Sequence, residues 1–403
     1  MTKSFISGLG KDTKSDCRVT FTPKNNGGNK IEVHSKVKIF FGNSIYELAE
    51  NTLNQLGVTN CCLTINDFGA LPYVLQARIE ASVKTAYPEL DKKSLPELKD
   101  YAYFNSERNK SRITRLYIPG NQPKLMINAG LYKPDGVILD LEDSVALDEK
   151  LSARFIVRNA LRTLKFYGSE KMVRINQGEL GLLDLEEIVP ENVNLILIPK
   201  VETVEQLEII NNRINDISDK CNRKDPLYLM PIIESALGIM NAMGIAKACD
   251  KNVALAIGLE DYTADIGVQR TEKGKESLFA RSILVNVARA TGLQPIDTVY
   301  SDVANDSGLF ASTIESKQIG FAGKGCIHPR QISIIKKGFA PDEQEIETAK
   351  KIVTAFETAE SNGLGVVSLG TKMIDPPVVK RAIYTLEQAL DLGLIFCDWR
   401  KGI

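Results

Sequence analysis

Carboxylate side chains follow two apolar runs of the sequence at the point where each run ends. Glu234 closes the run YLMPII, and Glu260 and Asp261 follow the run VALAIGL. If the two runs are neighbouring strands, they lie about 5 Å apart, and their carboxylates can hold one hard cation. Two carboxylates completed by water and substrate oxygens suit Mg²⁺, which gives up its water reluctantly. The sequence therefore predicts that Glu234 and Asp261 bind Mg²⁺, with backbone N–H groups after Gly258 exposed beside it for a substrate carboxylate.

An arginine near the end of a third apolar run needs an anionic partner. Arg174 lies in MVRIN, and a guanidinium in an apolar strand is stable only against an anion. Two partners are open: a substrate anion, or a structural ion pair with Glu142 or Asp143 of the segment DLEDS. Glu142 and Asp143 could also have two roles at once: they could hold Arg174 in place and hydrogen-bond a metal-bound water. With only two histidines in the chain, catalysis must rely on carboxylates, arginines, lysines and backbone amides.

Eight short apolar runs carry these residues, and a helical or loop stretch follows each run. β-Branched runs that are apolar on both faces indicate a parallel sheet. Eight strands close into a (β/α)₈ barrel, whose chemistry lies at the carboxyl ends of the strands. An open doubly wound sheet is the alternative, but no glycine-rich phosphate turn follows an early strand. The runs are 116–119, 136–142, 172–176, 194–200, 228–234, 253–261, 296–302 and 319–329.

A smaller module precedes the barrel. The sequence NNGG between its first two strands predicts a β-hairpin. A polar, proline-containing segment then predicts a linker. The module is predicted as strand, strand, helix, strand and helix, at 18–23, 30–35, 44–57, 61–65 and 70–87. The predicted domains are a small α+β domain (1–88), a linker (89–111), a barrel (112–335) and a C-terminal helical segment (336–403).

Composition excludes several classes of partner. The 403 residues include 50 basic and 51 acidic side chains, so neither nucleic acid nor an anionic membrane is the expected main partner. No run approaches the roughly 18–20 apolar residues of a transmembrane helix, and the N-terminus lacks a signal-peptide pattern. The seven cysteines are scattered without a CxxC motif, which predicts buried, inert thiols and a cytoplasmic location.

Motifs along the chain resemble the beta subunit of bacterial citrate lyase, within the HpcH/HpaI aldolase and malyl-CoA lyase superfamily. In chain order they are DLEDSVALDEK, VRIN, IESALGI, IGLEDY, SLFARS, DTVYSD, IHPRQI and GLGVVSLGTKMIDPPVV, over roughly residues 112–390. Residues 8–88 resemble the citrate lyase gamma subunit, an acyl carrier protein, most clearly in FGNSIYELAENTLNQLGVTNCCLTINDFGALPYVLQARIEA. The resemblance implies a TIM barrel with a C-terminal helical lid segment, preceded by a small carrier-like domain.

The resemblance also implies a reaction. A Mg²⁺-dependent carbon–carbon lyase would cleave a citryl-type 3-hydroxy acyl thioester, on CoA or on a carrier, into a keto acid such as oxaloacetate and an acetyl thioester. The alternatives are activity on citramalyl-CoA or malyl-CoA, or a non-catalytic protein that binds acyl thioesters or a partner.

Roles for individual residues follow from the same resemblance. Glu234 and Asp261 would bind the metal, and Arg174 would steady the developing enolate or the keto-acid oxygen. Backbone amides around Glu260 and Asp261 would hold the keto-acid carboxylate. Asp375 resembles a lid aspartate that reaches a neighbouring subunit's site as acid and base. A homo-oligomer, by family a trimer, and a transferase resembling the citrate lyase alpha subunit are the implied partners.

The carrier-like domain departs from its family at the attachment loop. The gamma subunit carries a phosphoribosyl-dephospho-CoA-type prosthetic group on a serine within a stretch resembling GTLESSD. The corresponding stretch here is GKDTKSD, so Lys14 replaces the modified serine and Ser15 is its neighbour. Three interpretations stay open: Ser15 is modified, loading is lost and the lyase uses free acyl-CoA, or the domain serves only assembly.

Overall fold

A four-stranded sheet and two helices form the first domain. The structure is a computed structural model, and it describes residues 3–9, 13–361, 367–369 and 372–399. Inward-facing residues of the sheet pack against both helices around Phe21, Leu53 and Ile65. The elements are β1 (Phe5–Ser7), β2 (Cys17–Pro23), β3 (Asn29–Ser35), α1 (Lys38–Leu56), β4 (Cys61–Asp67) and α2 (Pro72–Ala86).

The predicted hairpin between β2 and β3 is wrong. The sheet order is β1-β2-β4-β3, so β4 lies between them, antiparallel to β2 and parallel to β3. Helix α1 connects β3 to β4, and a strand–helix–strand crossover brings its two parallel strands side by side. Gly27 and Gly28, with φ of 97° and 73°, still form a turn, but this turn carries the chain past the position that β4 occupies.

Eight parallel strands close into the predicted barrel, with β12 paired to β5. Each predicted apolar run overlaps one of these strands. The interior is packed by apolar side chains such as Ile138, Met172 and Leu197. The strands are β5 (Thr114–Pro119), β6 (Gly136–Asp140), β7 (Glu170–Arg174), β8 (Leu195–Ile198), β9 (Tyr228–Ile233), β10 (Ala254–Ile257), β11 (Gln294–Asp297) and β12 (Gly323–Cys326).

Helices follow the barrel strands, and their first residues fix the loops at the barrel mouth. Ser235, directly after Glu234, caps its helix by accepting a hydrogen bond from the Gly238 N–H at 3.1 Å. Thr203 and Gln206 form a capping box at another helix. The helices are α3 (Pro123–Met126), α4 (Lys150–Thr163), α5 (Gly178–Ile188), α6 (Val204–Lys220), α7 (Ala236–Lys247), α8 (Leu259–Asp265), α9 (Leu278–Ala290), α10 (Asp306–Ile319) and α11 (Arg330–Phe339).

The chain divides into two compact units, residues 1–335 and 336–403. In the second unit, two helices pack through Ile346, Val353 and Leu386. The predicted helical segment is present, with a short antiparallel ribbon added between the helices. Its elements are α12 (Glu343–Ser361), β13 (Val367–Leu369), β14 (Lys372–Ile374) and α13 (Pro376–Asp391). Residues 362–366, 370 and 371 of the predicted lid lie outside the described residues.

All seven cysteines are free, but not all are buried. Cys221, at the end of α6, and Cys397 are exposed, so the expectation of buried thiols is wrong for these two. Within the described part of the chain, no helix combines the length and the apolar character needed to cross a membrane.

Candidate active site

A cavity of about 290 Å³ opens at the carboxyl ends of the barrel strands. Its walls come from distant parts of the sequence, because closure of the barrel brings all strand ends to one mouth. Most of the predicted site residues meet here. The lining includes Tyr117, Asp140, Asp143, Arg174, Glu234, Gly258, Glu260 and Asp261.

Glu234 is a buried carboxylate at the end of β9, with 5% of its surface exposed. Its Oε1 accepts a hydrogen bond from the Lys200 backbone N–H at 2.8 Å. Burial raises the pKa of Glu234 to about 7, and the charges of Asp261 and Glu142 act in the same direction. Gly258 makes room for this side chain, since a Cβ there would lie 2.2 Å from Glu234 Oε2.

Asp261 lies beside Glu234 because β9 and β10 are neighbours, with Ile233 opposite Ile257. Asp261 is half-exposed in the first turn of α8, and its Oδ1 lies 3.4 Å from Lys200 Nζ. Both carboxylates therefore contact Lys200: Glu234 contacts its backbone N–H, and Asp261 contacts its ammonium group. Both also line the same cavity.

Lys200 places its ammonium group among three carboxylates. Besides Asp261, Nζ lies 3.3 Å from Glu142 Oε1 and 3.5 Å from Asp143 Oδ1. Burial lowers the pKa of Lys200, but these carboxylates outweigh burial and raise it above its usual range. The residue adopts a left-handed backbone conformation, with φ of 50°, which is uncommon for a side chain other than glycine. Sequence reasoning gave Lys200 no role; the only signal was a lysine ending the run NLILIPK.

Arg174 is held mainly by a carboxylate that sequence reasoning did not select. Asp140 accepts two hydrogen bonds from Arg174, at 2.6 Å from Nε and 2.7 Å from Nη2. Glu142 Oε2 lies 2.9 Å from Nη1, and the Asp143 carboxylate lies at 3.6 Å. The guanidinium also stands over the Tyr117 ring, 5.4 Å from its centroid. The predicted structural ion pair thus exists, and it fixes the guanidinium at the cavity wall.

Asp140 stays ionised in this arrangement. Burial raises the pKa of Asp140, but Arg174 and backbone N–H donors outweigh burial and hold it below its usual value. The Glu142 N–H donates to Asp140 Oδ1 at 3.0 Å, and the Ser144 N–H donates to Oδ2 at 3.3 Å. The sequence DLEDS therefore folds into a turn around its first aspartate, which orients both that carboxylate and Arg174.

The donor set at Glu234 and Asp261 fits a hard cation. No group of three or more His, Cys, Asp or Glu side chains in the described residues could hold a metal alone. A site with two protein carboxylates, completed by water and substrate, is typical for Mg²⁺. Glu234 makes no ion pair within the described part of the chain, so a buried carboxylate there lacks the positive partner that a cation would supply.

Glu260 lines the mouth cavity, but its side chain pairs with Arg270 at 2.5 Å rather than with the metal pair. The remaining predicted site residues lie elsewhere. Ser15 lies in the first domain, half-buried, with φ of 63°, and its N–H donates to the Phe68 carbonyl at 3.1 Å. Lys14 is exposed, and residues 10–12 of the attachment loop lie outside the described residues. Asp375 lies in the second unit, where it caps α13 by accepting from the Val378 N–H at 3.2 Å.

A second, larger cavity of about 760 Å³ opens next to the first. The two cavities share Leu259, Glu260, Asp297 and Thr298 in their walls. Its remaining lining is mostly polar and comes from the loops after β10 and β11, from helices α9 and α10, and from Lys324 of β12. The mouth therefore offers space for a ligand that extends well beyond a small acid.

Comparisons with known proteins find relatives for both domains of the chain. Residues 114–329 match the family described as HpcH/HpaI aldolase/citrate lyase, and residues 8–86 match the malonate decarboxylase delta subunit (MdcD) family. The chain is 41% identical to citrate lyase subunit beta of Haemophilus influenzae over 283 residues, which cover 70% of this chain and 97% of that protein. It is 30% identical to mitochondrial citramalyl-CoA lyase of Homo sapiens, over 78% of this chain and 94% of that protein.

A crystal structure of similar fold carries ligands. Protein CitE of Mycobacterium tuberculosis, in complex with magnesium, acetoacetate and coenzyme A, superimposes with a TM-score of 0.59 at 26% identity. The match covers 70% of this chain and 99% of that chain. The comparisons thus name two lyases, and one protein of similar fold that binds magnesium, acetoacetate and coenzyme A.

Proposed function

The chain belongs to the HpcH/HpaI aldolase/citrate lyase family, and from that premise we propose that it is a Mg²⁺-dependent carbon–carbon lyase acting on citryl-type acyl thioesters. The products are a keto acid such as oxaloacetate and an acetyl thioester. The observation that carries this function is the buried Glu234 beside Asp261 at the mouth. A carboxylate buried without a cationic partner is costly, and a bound metal ion removes that cost.

The reaction is a redox-neutral cleavage. The substrate hydroxyl loses its proton, the bond between the hydroxyl-bearing carbon and the thioester α-carbon breaks, and the electron pair passes to the thioester as an enolate. Protonation of the enolate carbon then gives the acetyl thioester. Negative charge thus moves from the hydroxyl oxygen to the thioester oxygen, and the site must stabilise both positions.

Residues of the mouth are suited to these tasks. Glu234 and Asp261 would hold Mg²⁺, which when bound supplies Lewis-acid stabilisation to substrate oxygens. Arg174, fixed by Asp140 and Glu142, has a set orientation from which it can donate to the developing enolate or keto oxygen. The carboxylates that hold Arg174 prevent it from turning away, so its orientation is established before substrate binds.

Two further roles follow from the family. Backbone amides around Glu260 and Asp261 are proposed to hold the keto-acid carboxylate, since they start a helix beside the metal pair. Asp375 is proposed to move the proton at the acyl methyl carbon in a neighbouring subunit. This role requires at least a dimer, and we propose a trimer, with a transferase resembling the citrate lyase alpha subunit as a further partner and a cytoplasmic location.

Turnover of defined thioesters tests the function. We expect keto-acid release from citryl-CoA in the presence of Mg²⁺, with citramalyl-CoA and malyl-CoA as comparison substrates. Glu234→Gln should lower kcat/KM by more than about 100-fold, since even indirect partners of metal ligands typically cost 10–100-fold. Glu208→Gln, at an exposed position of α6, is the matched control and should leave turnover unchanged. Failure of the wild-type protein to cleave any of the three, with CoA binding retained, would favour the non-catalytic binding function.

Loading of the carrier-like domain needs its own experiment. Intact-mass and peptide analysis of the purified protein should be compared with a Ser15→Ala variant. An added mass on the N-terminal peptide that Ser15→Ala removes establishes modification of Ser15. An unmodified peptide, with turnover of free acyl-CoA, indicates that loading has been lost.

A further inference from the structure

Arg115 is a buried arginine without a carboxylate partner. It lies on β5 with 1% of its surface exposed, and it lines the mouth cavity. Its Nη1 contacts the sulfur of Met230 at 3.2 Å, and its Nε has no hydrogen-bond partner in the described structure. No ion pair joins Arg115 to any described carboxylate. A cation in this position is expensive to bury, because its hydration is lost and not replaced.

Asp297, a carboxylate whose charge acts on Arg115, does not balance the arginine's charge. Asp297 lines the same cavity, but its Oδ2 already accepts from Arg281 at 2.8 Å and from Lys324 at 3.2 Å. Its Oδ1 has no hydrogen-bond partner among the described residues. Arg281 also pairs with Glu315 at 2.9 Å, so the three cations Arg115, Arg281 and Lys324 face two carboxylates, and one positive charge stays unbalanced.

The position of Arg115 within the cavity points to a small ligand group. Arg115 and Tyr117 are alternate residues of β5, so both side chains face the barrel interior. Tyr117 stands next to Arg174 at the metal end, whereas Arg115 reaches Met230 on the opposite side of the barrel. Gly325 and Ala256 line the same space and contribute little side-chain volume. Arg174 thus lines the cavity beside the carboxylates of Glu234 and Asp261, and Arg115 lines it deeper in the barrel.

We propose that Arg115 binds a second carboxylate of the acyl unit and so selects substrates whose keto-acid product is a dicarboxylate. A citryl thioester carries that extra carboxylate, because cleavage releases oxaloacetate, whereas a citramalyl thioester releases pyruvate. The proposal rests on the lyase function proposed above and adds a preference to it. Arg115 is therefore a specificity-determining residue, distinct from the groups that hold the metal and the enolate.

Substrate selectivity of Arg115→Met tests the proposal. The variant should lower the ratio of kcat/KM for citryl-CoA over citramalyl-CoA by about 10–100-fold, the usual worth of a hydrogen bond to a charged group. Turnover of citramalyl-CoA should change little. Its melting temperature should equal or exceed that of the wild-type protein, because an unpaired buried cation has been removed. Arg115→Lys keeps a charge without the planar fork and should lower the ratio less.

Equilibrium binding separates this proposal from the lyase function itself. Calorimetric titrations with oxaloacetate and with pyruvate, both with Mg²⁺, should show that the wild-type protein prefers oxaloacetate and that Arg115→Met loses this preference. This readout remains valid if no thioester is cleaved. Equal losses on both substrates, or no wild-type preference for oxaloacetate, would overturn the proposal. If Arg115→Met does not fold, Arg115→Lys is judged by the same ratio and the same binding preference.

Discussion

At the scale of single residues, two buried carboxylates of the mouth, Glu234 and Asp140, differ in whether a cationic side chain pairs with them. The pKa of Glu234 is raised to about 7 by burial, whereas nearby Asp140 is held ionised by Arg174. The two carboxylates therefore have different tasks. Asp140 keeps a guanidinium in position, and Glu234 is left to exchange a proton for a metal ion.

Competition between a proton and Mg²⁺ at Glu234 predicts a pH-dependent affinity. The metal binds the ionised carboxylate, so protonation below a pKa of about 7 must weaken binding. We expect Mg²⁺ affinity to rise about tenfold between pH 6 and pH 8, as one proton of this pKa is displaced. Calorimetric titration at the two pH values measures the change. In Glu234→Gln the affinity should be low at both pH values; a wild-type affinity independent of pH would contradict the assignment.

Gly258 provides a second test at the same scale. A Cβ at this position would lie 2.2 Å from Glu234 Oε2, so Gly258→Ala must displace the carboxylate. We expect the variant to remain folded and to lose at least about tenfold in Mg²⁺ affinity, because the ligand leaves its position. Gly292→Ala, where nothing lies near the added Cβ, is a control for the methyl group, although its φ of 74° adds local strain. Unchanged Mg²⁺ affinity in Gly258→Ala would argue against Glu234 as a ligand.

At the scale of elements, strand β7 serves two surfaces. Arg174 at its end belongs to the mouth, and Lys171 near its start holds the segment that connects the first domain to the barrel. Lys171 is 1% exposed, and its Nζ donates at 2.5 Å to both the Ala102 carbonyl and Asn192 Oδ1. The ring of Phe104 lies 4.9 Å from Nζ. The predicted linker is therefore held against the barrel by a buried lysine.

Lys171 predicts a pH-dependent stability. Burial, assisted by Arg223, lowers the pKa of Lys171 to about 7 in the folded protein, against 10.5 for a free lysine. Between these values the unfolded chain binds more protons, so the free energy of unfolding rises with pH. From pH 7 to pH 9 this group should add about 2 kcal/mol. Urea unfolding at both pH values measures the free energy of unfolding of the wild-type protein and of Lys171→Met. The same change in this free energy with pH in both proteins would contradict the prediction.

At the scale of the whole molecule, the first domain and the barrel share a buried network of charges. Arg78 of α2 is fully buried and binds Asp16 through two hydrogen bonds, and it lies 2.7 Å from Glu149 before α4. Arg158 of α4 binds Glu80 of α2, with a shortest distance of 2.7 Å. Charged groups of both domains thus depend on each other for their partners.

The network links the attachment loop to the barrel mouth. Asp16 directly follows Ser15, and Arg78 connects it to Glu149. The next residue, Lys150, donates to the carbonyls of Leu141 and Glu142 at 2.7 and 2.5 Å, in the loop that surrounds Arg174. The first domain is therefore docked against the barrel through buried ion pairs.

The ion pair between Arg158 and Glu80 predicts that removing one partner destabilises the protein more than removing both. Arg158→Met leaves Glu80 buried without its main partner and should lower the free energy of unfolding by about 3–5 kcal/mol. Replacing both residues by Met should restore part of that loss, because Glu80 is no longer left as a buried charge, while Glu187 loses Arg158 but keeps Lys93 at 2.9 Å. Denaturant unfolding of the two single variants and the double variant forms a complete cycle. Additive effects of the two substitutions would contradict a shared network.

Sequence alone determined the features that depend on local pattern. Eight apolar runs predicted eight strands, and the rule that parallel strands end on one side predicted that Arg174, Glu234 and Asp261 would meet at one mouth. The neighbour order of consecutive barrel strands then followed. These predictions depend on backbone direction and on periodicity, which a single sequence displays.

Tertiary structure decided everything that depends on which side chains meet across the fold. The NNGG turn predicted that β2 and β3 pair as a hairpin, but β3 pairs with β4 instead, because the crossover through α1 brings those two strands together. The partners of Arg174 and Lys200 depend on loop conformation, and the isolation of Arg115 depends on the barrel closing to place Met230 opposite it. A sequence shows which charges a chain carries, but only the folded chain determines which of them remain without a partner.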